Sequence, residues 1–247
     1  MTRRPQRPLR LIRHTALRIR NHTLDWSAVL LSLRLAAVVA AILLVIGLPI
    51  AYWLTFSRWR WKFLVEAVVA LPLVLPPTVL GFYVLVAIGA QSPIGRLWAA
   101  WTGHSLAFTF EGLVLASILY SLPFAVQPMA AAFSQVDPTL LEASSTLGAS
   151  RRRTFFRVVL PLSREGVITG AVLSFAHTIG EFGVVLMVGG NLPGVTRTIS
   201  IAIYDSVQSL ELAAANRTAL ALLCFSFATL AAVYSLLRKP WSIAPLQ

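Results

Sequence analysis

The sequence contains a single cysteine and few charged residues. Cys224 has no second cysteine to pair with, which excludes a disulfide or a cysteine-based zinc site within one chain. It lies in an apolar run, where we expect a small packed hydrophobe. Charged residues make up 12% of the 247 residues, whereas soluble domains average about 25%. Because 57% of the residues are hydrophobic, the composition predicts an integral membrane protein rather than a soluble one.

Motifs for independent catalysis are also missing. The sequence has no G-x-x-x-x-G-K-[ST] phosphate loop, so we do not expect this chain to bind ATP in that way. Neither a nucleophile triad nor metal-ligand spacing is visible. We therefore expect no catalytic residue, no metal site and no cofactor, and we expect that the chain is not an enzyme.

Positive charge is in excess, with 21 Lys and Arg against nine Asp and Glu, giving a net charge of +12. Nucleic-acid-binding proteins can be this basic but are not this apolar. Here the basic residues stand between apolar runs, which is typical of cytoplasmic loops. The expected charged partner is membrane lipid and not nucleic acid.

Apolar runs long enough for membrane spans occur five times. A helix needs about 20 apolar residues to cross the hydrocarbon core, and backbone groups in lipid must be bonded within the segment. The sequence therefore predicts an all-α integral membrane protein with about five transmembrane helices, at Leu35–Leu54, Ala67–Gly89, Gly112–Ser134, Gly166–Gly190 and Thr218–Leu237.

Three regions follow from this pattern. Residues 1–28 form a basic tail, 29–238 the membrane domain and 239–247 a cytoplasmic tail. Lys and Arg concentrate after spans one, three and five, which places those loops inside the cell. Five spans then put the N-terminus outside, in conflict with its seven Arg between Arg3 and Arg20. Either that tail lies at a membrane surface against the rule, or the true start lies downstream, or the span count is wrong.

The loop Gln135–Arg164 is predicted to form two short helices. Asp137 and Pro138 provide an N-cap and a proline at the first helical position. Gly148 ends this helix, because glycine adopts the left-handed conformation most easily. Ser150 then caps a second helix that starts with three Arg, which oppose the helix dipole. This cost indicates a further use, such as binding lipid phosphates or an acidic partner, although positive-inside topology alone also explains the cluster.

This loop resembles the EAA loop of binding-protein-dependent ABC importer permeases. The matching residues, at the spacing of that pattern, are Glu142, Ala143, Gly148, Val158, Leu160 and Pro161. Ser144 replaces the second Ala, and Val158 the usual Ile. The resemblance implies the transmembrane-domain fold of type I ABC importers. It also implies that the loop is a coupling-helix pair that docks on an ATP-binding cassette ATPase subunit.

Three further stretches look like the molybdate branch of these permeases. They are Leu71–Pro77, Gly180–Gly183 and Asn191–Ile199. The resemblance implies a permease subunit of the cell inner membrane that imports an oxyanion, with molybdate as the leading candidate and sulfate or tungstate as alternatives. It also implies an extracytoplasmic oxyanion-binding protein and a homodimer. A secondary transporter coupled to ions, or a membrane anchor without a pathway, are alternatives of other classes.

Four residues are candidates for the pathway or its gate. Pro76 and Pro77 break the second span, and the freed carbonyls must face protein or water. Glu181 and Gly183 lie in the fourth span, where a carboxylate is costly and indicates function. Since an anionic substrate would be repelled by Glu181, we expect its carboxylate to pair with nearby donors and fix the helix position. We expect His177, one turn earlier, to be a packed polar residue.

Overall fold

The structure, a computed structural model, describes residues 25–236. In this range the chain forms twelve α-helices, one π-helical turn and no strand. The expected N-terminal and C-terminal tails lie outside the described residues, except for 25–28, where Asp25 caps the first helix. The helices are α1 (Trp26–Phe56), α2 (Lys62–Val74), α3 (Pro77–Ile88), α4 (Pro93–Thr102), α5 (Phe110–Ser134), α6 (Pro138–Thr146), α7 (Arg151–Thr154), α8 (Leu160–Leu162), α9 (Arg164–Gly180), α10 (Gly183–Gly189), α11 (Ile199–Gln208) and α12 (Leu212–Leu236).

Between residues 25 and 236, three helices are each long and apolar enough to cross a membrane, namely α1, α5 and α12. Two further spans are possible as bent pairs. The helices α2 and α3 meet at 115°, and the helical stretch Arg151–Leu162 meets α9 at 76°. Counting each bent pair as one span gives five. In the second pair, α9 lies in the predicted span Gly166–Gly190, which α10 continues after a break at Glu181, whereas Arg151–Leu162 belongs to the preceding basic loop. The all-α membrane fold is therefore confirmed, although two of the spans are broken and not straight.

The centre of the bundle consists of α1, α5 and α9. Helices α1 and α5 run in the same direction: the Arg34 guanidinium lies 4.4 Å from the Phe110 ring centroid at one end. At the other end, the Thr55 hydroxyl donates to the Ala130 carbonyl at 3.3 Å. Their packed interior includes side chains with no exposed surface, among them Leu35, Leu43, Met129 and Phe133.

Helix α9 runs antiparallel to α5 and approaches it closely at two glycines. A Cβ added at Gly170 would lie 2.6 Å from the Ala125 carbonyl oxygen, and one at Gly166 would overlap Ala132. Small residues four apart let helices touch in lipid, where van der Waals packing drives association. Gly166 and Gly170 therefore fix the register between α5 and α9.

Two of the three segments predicted from charge to be cytoplasmic, those after α1 and α5, come together at one end of the bundle; the third lies outside the described residues. Ser57 and Arg58, which follow α1, line a cavity shared with Leu141 and Ala149 of the loop after α5. Because these segments meet, the structure supports a common side for them. This end of the bundle carries the short helices of the loop after α5.

Two helices lie in loops where no helix was predicted, and one expectation was wrong. Helices α4 and α11 are each ten residues long, too short to show as spans. Helix α11 is held to α1 by the Ile199 N–H, which donates to the Ser32 hydroxyl at 2.8 Å. Cys224 is exposed and not packed, because α12 lies at the edge of the bundle.

Candidate functional site

The first helix of the basic loop forms as its sequence predicts. The Thr139 N–H donates to the Asp137 carboxylate at 2.9 Å, which holds the pKa of that carboxyl below its usual value. Helix α6 ends before Gly148, whose φ is +72°. A Cβ at this position would have no neighbour within 4 Å. Glycine is therefore needed for the backbone conformation and not for space.

Helix α6 presents its side chains outward. It contains no buried residue, and Glu142 and Ala143 are exposed. Leu140 is 45% exposed, and Leu147, just after the helix, is 86% exposed. Large apolar side chains in a loop on the aqueous side indicate a surface that a protein partner covers. The geometry therefore suits a docking helix.

The second helix is anchored to the bundle. Ser150 caps α7, and a π-helical turn, Phe155–Val159, joins α7 to α8. The Phe155 ring lies 5.1 Å from the ring of Tyr52 in α1, and Val159 is fully buried. Movement of this segment must therefore involve α1.

Three of the predicted coupling residues lie on this second helix. Val158 and Leu160 are half-buried, and Pro161 is exposed at the start of α8. The π turn lets the Leu160 N–H reach the Phe155 carbonyl, so the helix continues into a proline that has no N–H to donate. The chain then bends at Ser163, whose hydroxyl donates to the Ala132 carbonyl of α5 at 3.2 Å.

The four pathway candidates are brought together by two helix breaks. The chain is extended between α2 and α3, where Pro76 precedes the first turn of α3. It is extended again at Glu181, between α9 and α10. A Cβ added at Gly183 would lie 2.6 Å from the Pro77 Cβ. Helices α3 and α10 therefore start side by side and continue together toward the outer end of α5.

Glu181 lies at the second break, and its side chain bonds to groups of α10 and α5. Its carboxylate accepts the Val185 N–H at 3.1 Å and the Ser117 hydroxyl at 3.3 Å. The residue is 5% exposed. Ser117 lies seven residues into α5, or roughly 10 Å along its axis. A broken helix inside a membrane needs such partners for its freed backbone groups.

His177 lies one turn before the break, packed between aromatic rings. Its ring stacks on Phe124 at 3.9 Å between centroids and lies 4.8 Å from Tyr120. The Ser121 hydroxyl is 3.0 Å from His177 Nδ1. These contacts match a packed polar residue that ties α9 to α5.

A polar network in the outer loop had no role assigned from sequence. The Arg197 Nε donates to the Asn191 side-chain oxygen at 2.6 Å, and the guanidinium is 3.6 Å from the Asp205 carboxylate. The Asn191 amide also donates to Asp205 at 3.1 Å. Asn191 and Arg197 belong to the motif Asn191–Ile199, but sequence alone does not show that they bond to Asp205 and hold α11 in place.

Two comparisons with known proteins agree with this geometry. Residues 43–240 match the family described as the binding-protein-dependent transport system inner membrane component. The chain is 54% identical over 211 residues to the molybdenum transport system permease protein ModB of Azotobacter vinelandii, covering 85% of this chain and 93% of the relative. It is 39% identical over 217 residues to ModB of Escherichia coli K12, covering 88% and 93% of the two chains.

A solved structure shares the fold. It is the bacterial alginate ABC transporter in complex with an alginate pentasaccharide-bound periplasmic protein. The TM-score is 0.67, with 15% sequence identity, over 86% of this chain and 78% of that chain. At this identity the likeness concerns the fold alone, which is that of type I ABC importer transmembrane domains.

Proposed function

The chain belongs to the family of binding-protein-dependent transport system inner membrane components, and from this premise we propose that it is the permease subunit of an ATP-driven molybdate importer. It is a multi-pass protein of the inner membrane. The assignment of molybdate as the substrate rests on the 54% identity with a molybdenum transport permease over 93% of that relative's length. This identity favours molybdate over sulfate or tungstate, and import driven by ATP over an ion-coupled transporter.

The chain acts with an ATPase subunit and a binding protein. Permeases of this family contribute the membrane pathway, while a separate ATP-binding cassette subunit hydrolyses ATP. The exposed face of α6, with Leu140, Glu142 and Leu147, is the surface we assign to the ATPase. The binding protein delivers the oxyanion at the opposite end, where α4 and α11 lie.

We propose that the loop passes movement of the ATPase into the bundle through α9. Helix α6 is joined to α7 by the turn at Gly148, and the following segment is anchored by Phe155 and Val159. It bends at Ser163 into α9, which packs on α5 through Gly166. A rigid chain of packed helices can move as a unit, whereas a mobile loop would absorb the displacement.

The far end of α9 is the break at Glu181, which rests against the start of α3. Displacement of α9 therefore shifts the contact between Gly183 and Pro77. We assign the gate to this contact. Glu181 has both carboxylate oxygens bonded within the protein and repels an oxyanion, so it positions the gate and does not bind substrate.

A second copy of the chain completes the pathway in this proposal. Helix α3 leaves a stripe of side chains exposed at helical spacing, namely Val79, Phe82, Tyr83 and Val86. Such a stripe on the helix that starts at the gate suits a facing copy of the same helix. The purified transporter is then expected to contain two permease chains and two ATPase chains.

Uptake measurements test the proposed function. Cells that lack their own molybdate permease and express this chain with its ATPase and binding protein should accumulate labelled molybdate. Excess tungstate should compete more strongly than sulfate if the binding protein sets the selectivity. If the cells accumulate sulfate and not molybdate, the assignment of molybdate as the substrate is overturned, whereas the assignment as a permease stands.

A further inference from the structure

A cavity of about 710 Å³ lies between the inner end of α1 and the basic loop. Its wall combines aromatic rings, hydroxyl groups and guanidinium groups, contributed by Tyr52, Trp53, Arg58, Ser145, Arg151 and Thr154. Nothing in the proposed transport mechanism uses this cavity. It lies at the inner end of α1, beside the helical stretch Arg151–Leu162, which we call the coupling segment.

An apolar groove of about 370 Å³ adjoins the cavity. Its wall includes Val45, Leu48 and Pro49 of α1, with Phe155 and Phe156 of the π turn. Tyr52 and Arg151 line both spaces. A polar cavity therefore meets an apolar groove at one shared edge.

In the described part of the chain, the charged residues that line the two spaces are all basic. Arg58 and Arg151 line the cavity, Arg151 and Arg152 line the groove, and no acidic residue of this part lines either space. Within residues 25–236, none of these three forms an ion pair. Arg151 and Arg152 also stand in the first turn of α7, where the helix dipole disfavours cations. An anion in the cavity offsets this unfavourable interaction with the helix dipole, and guanidinium groups bind phosphate in a bidentate manner.

The combined length of the cavity and the groove along α1 matches the length of a lipid molecule. Thirteen residues of helix and turn separate Val45 from Arg58, which corresponds to roughly 20 Å. Val45 is 73% exposed on a spanning helix, so the groove faces the hydrocarbon. Trp53 and Trp59 lie 5.8 Å apart near the other end, as interfacial aromatic residues do.

We propose that an anionic phospholipid of the inner leaflet binds here. Its phosphate lies between Arg58 and Arg151, and one acyl chain follows the groove past Val45. The lipid then bridges the end of α1 and the coupling segment. The ATPase surface that we assign on α6 consists of Leu140, Glu142 and Leu147, and none of these residues lines the cavity or the groove.

Native mass spectrometry of the full permease–ATPase complex tests this site. The complex is released from nanodiscs that contain equal amounts of phosphatidylglycerol and phosphatidylcholine, and the phosphatidylglycerol that stays bound is counted. In the double variant R58Q/R151Q we expect retention to fall about tenfold, because two charge-assisted hydrogen bonds are lost. The matched control R60Q/R157Q removes the same charge from the same two segments, and neither residue lines the cavity or the groove; it should retain lipid as the parent does.

A second variant separates a lipid from a free phosphate ion. Val45→Trp fills the groove without changing charge, and it should also lower phosphatidylglycerol retention. Retention equal to the parent in R58Q/R151Q, or an equal loss in the control, would overturn the proposal. The proposal would also be overturned if excess inorganic phosphate displaced the bound phosphatidylglycerol while Val45→Trp retained it fully. The site would then bind a free anion and not a lipid. Loss of the ATPase from R58Q/R151Q with lipid retained would assign the cavity to the partner protein.

Discussion

The hydroxyl groups of Ser144 and Thr154 lie 2.8 Å apart and join α6 to α7 in the basic loop. Ser144 is the position where the sequence departs from the usual Ala of the EAA pattern. The departure therefore adds a link across the turn at Gly148. The link makes α6 and α7 one unit, as a coupling element requires.

Ser144→Ala should loosen this link without abolishing transport. A single part-buried hydrogen bond contributes about 1 kcal/mol, so we expect the loop to open more often and not to unfold. Trypsin cleaves after Arg, and the rate of cleavage at Arg151–Arg153 in purified complex measures the opening. It should rise in Ser144→Ala. Ser145→Ala is the control, since the Ser145 hydroxyl bonds only within α6, to the Glu142 carbonyl. Equal cleavage rates for the two variants would show that the link contributes nothing.

Substitutions of Glu181 separate a positioning role from a substrate-binding role. Glu181→Ala removes the acceptor for the Val185 N–H and the Ser117 hydroxyl. We expect it to destabilise the purified protein by about 1–3 kcal/mol, because buried donors are left unpaired. Glu181→Gln keeps one acceptor oxygen and should lose less. Thermal unfolding in detergent measures both.

The KM for molybdate uptake provides the second readout for Glu181. If the carboxylate only positions α10, Glu181→Gln lowers the maximal rate and leaves KM unchanged. A large rise in KM with an unchanged maximal rate would instead make Glu181 a substrate ligand. Glu165→Ala serves as a control, because this acidic residue is exposed in the first turn of α9, the helix that ends just before Glu181.

The contact between Gly183 and Pro77 predicts that a side chain larger than hydrogen is not tolerated at position 183. Gly183→Ala places a Cβ 2.6 Å from the Pro77 Cβ, closer than side chains approach. We expect a loss of about 1–3 kcal/mol in stability and reduced uptake, as overpacking produces. Gly180→Ala is the matched control on the other side of the break, where a Cβ has no neighbour within 4 Å. Equal uptake in both variants would argue against a packed gate at this contact.

Local sequence signals predicted the parts of the fold that depend on neighbouring residues. Asp137, Pro138 and Gly148 determine where α6 starts and ends, and the structure agrees within one residue. Pro76 and Pro77 predicted a break in the second span but not its 115° angle. The angle follows from packing of α3 on α10, which a single segment does not encode.

The break at Glu181 depends on a partner far along the chain. Ser117 is 64 residues away, and no local rule connects the two. Gly180 and Gly183 flank the carboxylate and are the one sequence signal for a break there. The same limit applies to Ser144 and Thr154, whose contact depends on the turn between them. Sequence thus identified the residues of the candidate site, whereas only the structure shows that Pro77 and Gly183 touch.

Gly148 and Glu142 test the central claim that the cytoplasmic loop couples the ATPase to the gate. Because φ at Gly148 is +72° and its surroundings are open, Gly148→Asn should keep activity, as Asn tolerates this conformation. Gly148→Pro cannot adopt a positive φ and should misdirect α6. Glu142→Lys reverses the charge in the middle of that helix, on the proposed docking face.

The decisive measurement is molybdate uptake into proteoliposomes by the reconstituted permease, ATPase and binding protein, together with the amount of ATPase that copurifies. We predict normal uptake for Gly148→Asn. For Gly148→Pro and Glu142→Lys we predict that uptake is lost while the permease still inserts into the membrane. Normal uptake and normal ATPase retention in all three variants would contradict the account.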